Sequence, residues 1–443
     1  MRNFRYILPF VLCTLSLGTS AQDYARISER SIMGTARYVG MGGAMSAIGG
    51  DPSSIHDNPA GLGLYRRTEL MITFDGMFDK TTQPGYPDAG ERRLFMAPQA
   101  SLIFSMPSYS EDDEGVQFNN LSLSYRRLNT FNRLWLGSGE KGLSLGSLLS
   151  TADVKWDIPF CTDRINATNI LDLVESGHTS EFAIDWAINI SNRWFVGFGV
   201  HIQSYFLASD GDFQETFSSK NALGRNMYNL NMTRLTLSGT GCNLTAGLIY
   251  RPVSWIRMGF GIQTPTLGSL NTSTSGTLTA LTDSLRNSYA PNGYSRDSKF
   301  HMPLHLSSSV AFQVGAYGML AFQYDYLKQL QNDAVHSFRT GLEVIPVMGL
   351  YVNAGYAFES TFKKNTNPVP MDPTFERQDT YFVTPQWSQY VSAAVGYRGS
   401  IMMVQAAYQY RWQRTNLYAH ENASPYEMSA TTHRIILTIG WHR

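Results

Sequence analysis

The sequence predicts an all-β fold, a transmembrane antiparallel β-barrel of about fourteen strands. Three observations predict it. From Thr68 onward, apolar residues alternate with small or polar ones, the period-two pattern of strands with unlike faces. The connections between these segments are alternately very short and long. Beyond the N-terminus, no stretch of the 443 residues approaches the ~20 apolar residues of a spanning helix. A membrane chain without such helices must close as β-structure, because lipid leaves open strand edges unsatisfied.

The chain begins with a secretory pattern over residues 1–21. Arg2 and Arg5 supply the positive end, Ile7 to Leu17 the apolar run, and Thr19-Ser20-Ala21 small residues for cleavage before Gln22. The apolar run is too short to anchor the chain by spanning. Charged residues make up only 16% of the chain, against ~25% in soluble domains, while aromatics reach 13%. That balance suits a barrel in outer-membrane lipid. Net charge is zero, so there is no basic field to attract nucleic acid. After cleavage, Cys161 and Cys242 are candidates for a disulfide in an oxidising compartment. They have no metal-ligand spacing.

Strands are expected near 68–75, 96–106, 117–128, 180–190, 193–206, 231–251, 254–263, 301–315, 317–326, 333–346, 347–358, 386–398, 401–412 and 431–442. The last is the clearest: His433, Ile435, Leu437, Ile439 and Trp441 share one face, and Arg434, Ile436, Thr438, Gly440 and His442 the other. In 194–204, Trp194, Val196, Phe198, Val200 and Ile202 oppose Phe195, Gly197, Gly199, His201 and Gln203. A soluble sandwich also alternates. Here, however, the polar face is rich in Gly, Ala and Ser, as a crowded lumen prefers, and the apolar face often ends in Trp or Tyr.

Short turns are expected at Ser191-Asn192, Pro252-Val253, Gly315-Ala316, Pro346-Val347 and Gly399-Ser400. Long polar segments at 76–95, 129–179, 207–230, 264–300, 359–385 and 413–430 alternate with them. The connection at 327–332 is short where the rhythm asks for a long one. Sorting turns to one rim and loops to the other is what an outer-membrane barrel does, with both chain ends on the periplasmic side.

Residues 22–67 do not read as strand. They hold Gly40-Met41-Gly42-Gly43-Ala44, then Gly49-Gly50-Asp51-Pro52-Ser53-Ser54, then Asn58-Pro59-Ala60-Gly61-Leu62. Small residues permit tight reversals, and Asn58-Pro59 favours a turn. The segment is too apolar for a solvated tail, and its simplest location is inside the barrel. This succession resembles the FadL outer-membrane transport family, in a branch often labelled hemin receptor. So do Tyr250-Arg251-Pro252-Val253-Ser254-Trp255-Ile256-Arg257-Met258-Gly259 and Gly261-Ile262-Gln263-Thr264-Pro265-Thr266. The resemblance implies a hatch over 22–67, with Asn58, Pro59, Ala60 and Gly61 as its motif, and a monomeric barrel over 68–443. It also implies passive uptake of hydrophobic small molecules across the cell outer membrane, without a cofactor. The family's lateral gap depends on a distorted third strand. Here 117–128 holds no Gly or Pro, while Pro98 in the second strand lacks an N–H and weakens the ladder there instead.

Inward Asp185, Arg257, Asp325, Arg339, Glu343, Arg398, Arg411 and Arg434 read either as a mutually paired lumen lining or, for some arginines, as holders of a ligand carboxylate. Inward Phe195, Tyr390 and Ile436 break the polar-in rule. They indicate packing against the hatch, a greasy pocket, or both. Phe195, His201, Tyr390, Ile436, Arg339 and Arg434 are therefore the ligand-binding candidates. Catalysis is not expected: His201 and Ser204 are near each other, but no Gly-x-Ser-x-Gly elbow frames a nucleophile. Haem would need an axial His or Tyr, for which His56, His178 and His201 are candidates without a paired motif. A second functional class is a protein-interaction barrel acting as a secretion-system shuttle, for which 129–179 is long enough.

Overall fold

The computed structural model describes residues 26–443, apart from 87–88, 109–114, 140–165, 218–226, 283–285, 291–292, 316, 329–333, 361–380 and 420–423. The 1–21 leader and Cys161 lie outside the described residues, and Cys242 is a free, exposed thiol.

One antiparallel sheet closes on itself. Its strands are β1 (Glu69–Thr82), β2 (Ala89–Pro107), β3 (Val116–Thr130), β4 (Arg133–Gly139), β5 (Asn166–Ile190), β6 (Trp194–Phe217), β7 (Met227–Val253), β8 (Ile256–Gln263) and β9 (Leu267–Thr282). There follow β10 (Arg286–Tyr289), β11 (Tyr294–His301), β12 (Leu304–Val314), β13 (Gly318–Lys328), β14 (Val335–Val347), β15 (Leu350–Ser360), β16 (Phe382–Arg398), β17 (Met402–Tyr418) and β18 (Tyr426–His442). These eighteen strands make fourteen staves. Both β3 and β4 pair with β5, both β8 and β9 with β7, and β10, β11 and β12 run in succession along β9 and β8. The seam closes where β1 pairs β18, from Glu69 opposite His442 to Thr82 opposite Ser429.

The outer wall is greasy over a band. On β6, Trp194, Phe198, Val200, Ile202 and Phe206 all face outward and are exposed, while His201 and Gln203 face in. From Trp194 to Phe206 the tilted strand climbs roughly 30 Å, the height of a hydrocarbon core. At the short-turn rim, Trp194, Trp255, Tyr317, Tyr397 and Trp441 form an aromatic girdle.

Above this band the pattern inverts. On β6, Leu207 and Phe213 point in, and Asp210 and Asp212 point out. On β18, Tyr426, Met428 and Ala430 point in, and Glu427, Ser429 and Thr431 point out. This corrects the reading of 76–95, 207–230, 264–300 and 413–430 as long loops, since most of each is strand. Beyond the lipid, water meets the outer face, so alternation persists with opposite sign and looks polar to a search for apolar-out strands. The rim-to-rim sorting stands among the described residues: the tight turns lie on one rim, and the ends of β1, β4, β15 and β17 that lead into the longer connections lie on the other.

Two turns lie two residues later than expected. Ser254-Trp255 replaces Pro252-Val253, because β7 runs through Val253, and Met348-Gly349 replaces Pro346-Val347. Pro346 sits at an irregularity between Val344 and Val347, where the β14 register tolerates a missing N–H. At Ser191-Asn192, where a turn was expected, both residues adopt φ 55°.

Pro98 interrupts the wall as its chemistry predicts. The β1–β2 register shifts between Thr73 and Asp75, and Pro98 and Gln99 are both buried, so side-chain phase flips there. Pairing of β2 with β3 starts only at Gln99 opposite Arg126. Toward the loop rim, β4 follows β5 and tucks against β1 and β2, where Thr81 Oγ1 donates to the Leu134 carbonyl. The wall thus overlaps itself above Pro98. Arg92 Nη2 bridges the overlap by donating to Asn132 Oδ1 at 3.1 Å.

The inverted pattern predicts position-dependent costs. Val200→Arg, midway up the greasy band, is expected to cost about 2–4 kcal/mol in urea unfolding from lipid vesicles. Asp212→Lys, on the same face of the same strand, should stay within about 0.5 kcal/mol. Equal costs would mean that lipid does not end where the pattern inverts.

Candidate functional site

Residues 26–64 fill the lumen, and after a helical stretch at 26–28 they form three more short helical turns. These are α1 (Ala36–Gly40), α2 (Pro52–Ile55) and a 3-10 turn (Pro59–Leu64). Each starts at a side-chain cap: Thr35 accepts from the Tyr38 N–H, Asp51 from Ser53 and Asn58 from Ala60. Thr, Asp and Asn are the residue types that satisfy orphan N–H groups at such starts. Pro52 and Pro59 occupy first-turn positions, where the missing N–H costs nothing.

The Asn58-Pro59-Ala60 stretch is riveted to the wall. The Asn58 amide donates to the carbonyls of Ser46 at 3.0 Å and Leu248 at 3.3 Å. Pro59 and Ala60 lie on Gly197 and Gly247. A Cβ at Gly197 would fall 2.3 Å from the Pro59 carbonyl carbon, and one at Gly247 only 2.0 Å from Asn58 Oδ1. Glycine at these two inward positions is what lets backbone meet backbone.

Charged wall residues hold the segment. Arg37 forms a two-pronged pair with Glu343, Nε to Oε2 at 2.7 Å and Nη2 to Oε1 at 2.8 Å. Arg411 Nη2 reaches Glu29 at 2.7 Å. Arg339 pairs with Asp325 at 3.1 Å and reaches Asp57 at 3.5 Å and the Tyr38 hydroxyl at 3.1 Å. Arg434 Nε donates to Asp75 at 3.0 Å and its Nη1 to the Ile32 carbonyl at 2.7 Å. His56 Nδ1 lies 2.6 Å from Glu181 Oε1. Burial pulls the Arg37 guanidinium down, but Glu343 outweighs it and holds it above its ordinary value. Burial pushes the Asp51 carboxyl up against the opposing pull of Arg37.

The six ligand-binding candidates all touch or neighbour this segment. Phe195 packs with Ala60 and Ile249. Tyr390 and Ile436 join Ile32, Ala36, Tyr38 and Met45 in the largest apolar cluster. His201 meets Glu181 and Asp185, while Arg339 and Arg434 make the pairs just described. None of the six lines the cavities of about 260, 20 and 10 Å³ described below. His56 and His201 are fully buried with their nitrogens facing carboxylates and hydroxyls, so neither presents a nitrogen to a space of haem size. The expected lumen lining is present in part: Arg339–Asp325 is a wall–wall pair, but Glu343 and Arg411 pair with the inner segment. Arg37 and Glu29 were not legible as anchors. Their one signal was charge inside an otherwise small and apolar stretch.

The two sides of the segment differ in free space. A cavity of about 260 Å³ sits toward the short-turn rim, lined by Arg37, Asp51, Glu343, Tyr351, Arg398 and Gln405. On the loop side the interior is apolar and filled. One cluster gathers Trp135, Leu171, Leu173, Phe213, Tyr381 and Leu417, and another gathers Ile27, Tyr205, Leu207, Leu235, Leu237 and Phe300. The two cavities beside them are water-sized, of about 20 and 10 Å³.

A closed fourteen-stave barrel with an apolar belt, tight turns on one rim and an N-terminal segment folded into the lumen defines a class. It is the FadL-type fold of Gram-negative outer-membrane barrels. Three of the solved structures that share it show the likeness. A Pseudomonas aeruginosa FadL homologue superposes with a TM-score of 0.58 at 13% identity, covering 93% of this chain and 99% of its own. The Ralstonia pickettii toluene transporter TbuX gives 0.55 at 12%, and the Pseudomonas putida toluene transporter TodX gives 0.54 at 12%. Each covers 93% of this chain and 98% of its own. No protein-family model and no curated protein sequence matches the chain.

Arg434 and Asp75 allow a test of how the lumen is held. Arg434→Met should lose about 3–5 kcal/mol of stability by leaving a buried carboxylate unpaired, whereas Arg434→Met with Asp75→Leu should lose much less. Urea titration of both variants checks this. A double variant as weak as the single would show that the ion pair itself, not its orphaned partner, carries the stability.

Proposed function

We propose that this barrel is an outer-membrane channel for passive uptake of hydrophobic small molecules, plugged by the segment 26–64. The observation that carries the proposal is the inversion of the inner face. Below the level of Glu181 the lumen is occupied by the inner segment, its ion pairs and its apolar contacts with the wall; above it, Trp135, Phe213, Leu207, Leu237 and Phe300 turn apolar surface inward at the outer mouth. An apolar solute that enters this mouth leaves water for a greasy interior, which lowers the barrier to crossing the polar surface layer. The toluene transporters TodX and TbuX share the fold, which supports the reading.

Onward passage has two routes. One runs past the segment into the cavity at the short-turn rim. The other runs sideways at Pro98, where β2 loses its β3 ladder and the overlap is held by side chains such as Arg92. Passage by either route needs no energy source and no cofactor.

Native mass spectrometry of the detergent-extracted protein should show one apolar small molecule bound per monomer. Phe213→Lys, which charges the mouth, should lower uptake of a radiolabelled long-chain fatty acid or toluene at least tenfold with folding intact. Deleting 26–60 should raise leakage of small polar solutes into cells. Unchanged uptake in the Phe213 variant would remove the apolar mouth from the mechanism. Unchanged leakage in the deletion would show that the segment is not a plug.

A further inference from the structure

Among the described residues, one group of metal-capable side chains converges: His56 from the inner segment, with Glu181 of β5 and His201 of β6 from the wall. All three are fully buried. The ligand-capable atoms lie within 4.8 Å of one another. His56 Nδ1 is 2.6 Å and His201 Nδ1 is 3.2 Å from the same oxygen, Glu181 Oε1. We propose that His56, Glu181 and His201 bind one divalent transition-metal cation of the Zn²⁺ class, clasping the inner segment to the barrel wall.

Three independent features support the site. The first is charge. Glu181 and Asp185 bring two buried carboxylates, and the only ion-pair partners that the described residues give them are His56 and His201. Arg126, opposite Glu181 on β3, offsets part of this charge through space without a direct ion pair, and buried carboxylates short of counter-charge are costly. A divalent cation bound between the histidines would supply the rest.

The second is an orphaned atom. His201 Nδ1 is buried and makes no hydrogen bond of acceptable geometry, although it faces Glu181 Oε1. One carboxylate oxygen can accept two N–H bonds, yet the His201 nitrogen is not aligned to donate one. The two imidazole nitrogens cooperate when each offers a lone pair to a cation.

The third is the outer set of partners. Metal-bound histidines ordinarily donate the other ring N–H to a carboxylate or another acceptor, which fixes the tautomer that leaves the ligating nitrogen free. His201 Nε2 lies 2.9 Å from Asp185 Oδ1, and His56 Nε2 lies 3.3 Å from Ser124 Oγ. Glu181 Oε2 accepts from the side-chain amides of Gln203 and Gln263. Every proposed ligand therefore has its second polar atom already held, leaving Nδ1, Oε1 and Nδ1 turned to the centre.

Ligand chemistry selects the ion. Two imidazoles and one carboxylate suit Zn²⁺, Co²⁺ or Fe²⁺, and not Ca²⁺ or Mg²⁺, which want oxygen shells. Metal–ligand bonds of about 2.0–2.1 Å place tetrahedral ligand atoms about 3.3 Å apart. The His201 contact is at that separation, and the His56 contact must open by less than about 1 Å. The site directly precedes Asn58-Pro59-Ala60, so the ion would lock the segment beside its rivet to Gly197 and Gly247.

The test refolds the full-length protein into detergent with Zn²⁺ or Ca²⁺, desalts it, and measures retained metal by atomic mass spectrometry. One Zn²⁺ per barrel and no Ca²⁺ are expected. His56→Gln and Glu181→Gln should retain at least tenfold less Zn²⁺. Hydrogen exchange across 51–60 should slow at least tenfold in native protein with Zn²⁺ and not in either variant. Equal Zn²⁺ retention by native protein and both variants, or none in native protein, overturns the proposal. If neither variant folds, native protein alone decides: Co²⁺ substitution must give the intense visible absorption of a tetrahedral nitrogen–oxygen site, and its absence overturns the proposal. These readouts do not depend on uptake, so they can fail while the channel reading stands.

Discussion

Closure governs this molecule. In hydrocarbon, an unpaired backbone N–H or C=O has no partner, so a β-sheet survives there only when its first strand finds its last. The pairing of β1 with β18 meets that demand. It also encloses a lumen lined by alternate residues of every stave, and a lumen needs filling, pairing or water. The inner segment answers the need. It supplies carboxylates for Arg339 and Arg411, a guanidinium for Glu343, and apolar side chains for Tyr390 and Ile436.

Water and lipid then write opposite patterns on one strand. Within the bilayer, the outer face of β6 is Phe198, Val200 and Ile202, and the inner face is polar; beyond it, Asp210 and Asp212 face out while Leu207 and Phe213 face in. The upper barrel is built like a soluble β-protein with a packed core, standing on a lower barrel whose bore holds the inner segment. An apolar solute would meet the packed core first. A clear break in the hydrogen-bonded wall among the described residues, at Pro98, lies within the greasy band, with Phe95 and Phe78 still exposed beyond it, and there backbone pairing gives way to side-chain bridges.

The residues of greatest chemical interest are those where segment and wall meet. Arg434 and the Ile32 carbonyl, Arg37 and Glu343, and His56 and Glu181 are buried polar contacts joining residues more than a hundred positions apart. Such contacts are worth little as isolated pairs and are costly to break. They make the lumen's contents specific without making them permanently fixed.

The barrel was legible in the sequence because lipid imposes a local rule. Each strand in the bilayer must alternate, and His433 to Trp441 or Trp194 to Ile202 display that alternation without reference to any other strand. Pro98 was legible for the same reason, since a missing N–H acts at its own position. The upper halves of the strands were hidden, because there the alternation changes sign and reads as polar loop. The exact turns at Met348-Gly349 and Ser254-Trp255 were displaced by sheet register, which no single segment determines. The partners of His56, Arg37 and Glu29 were decided only by the tertiary structure. A charge in a glycine-rich stretch announces that it needs a counterpart, but which of the fourteen staves supplies it follows from how the segment folds inside a closed wall.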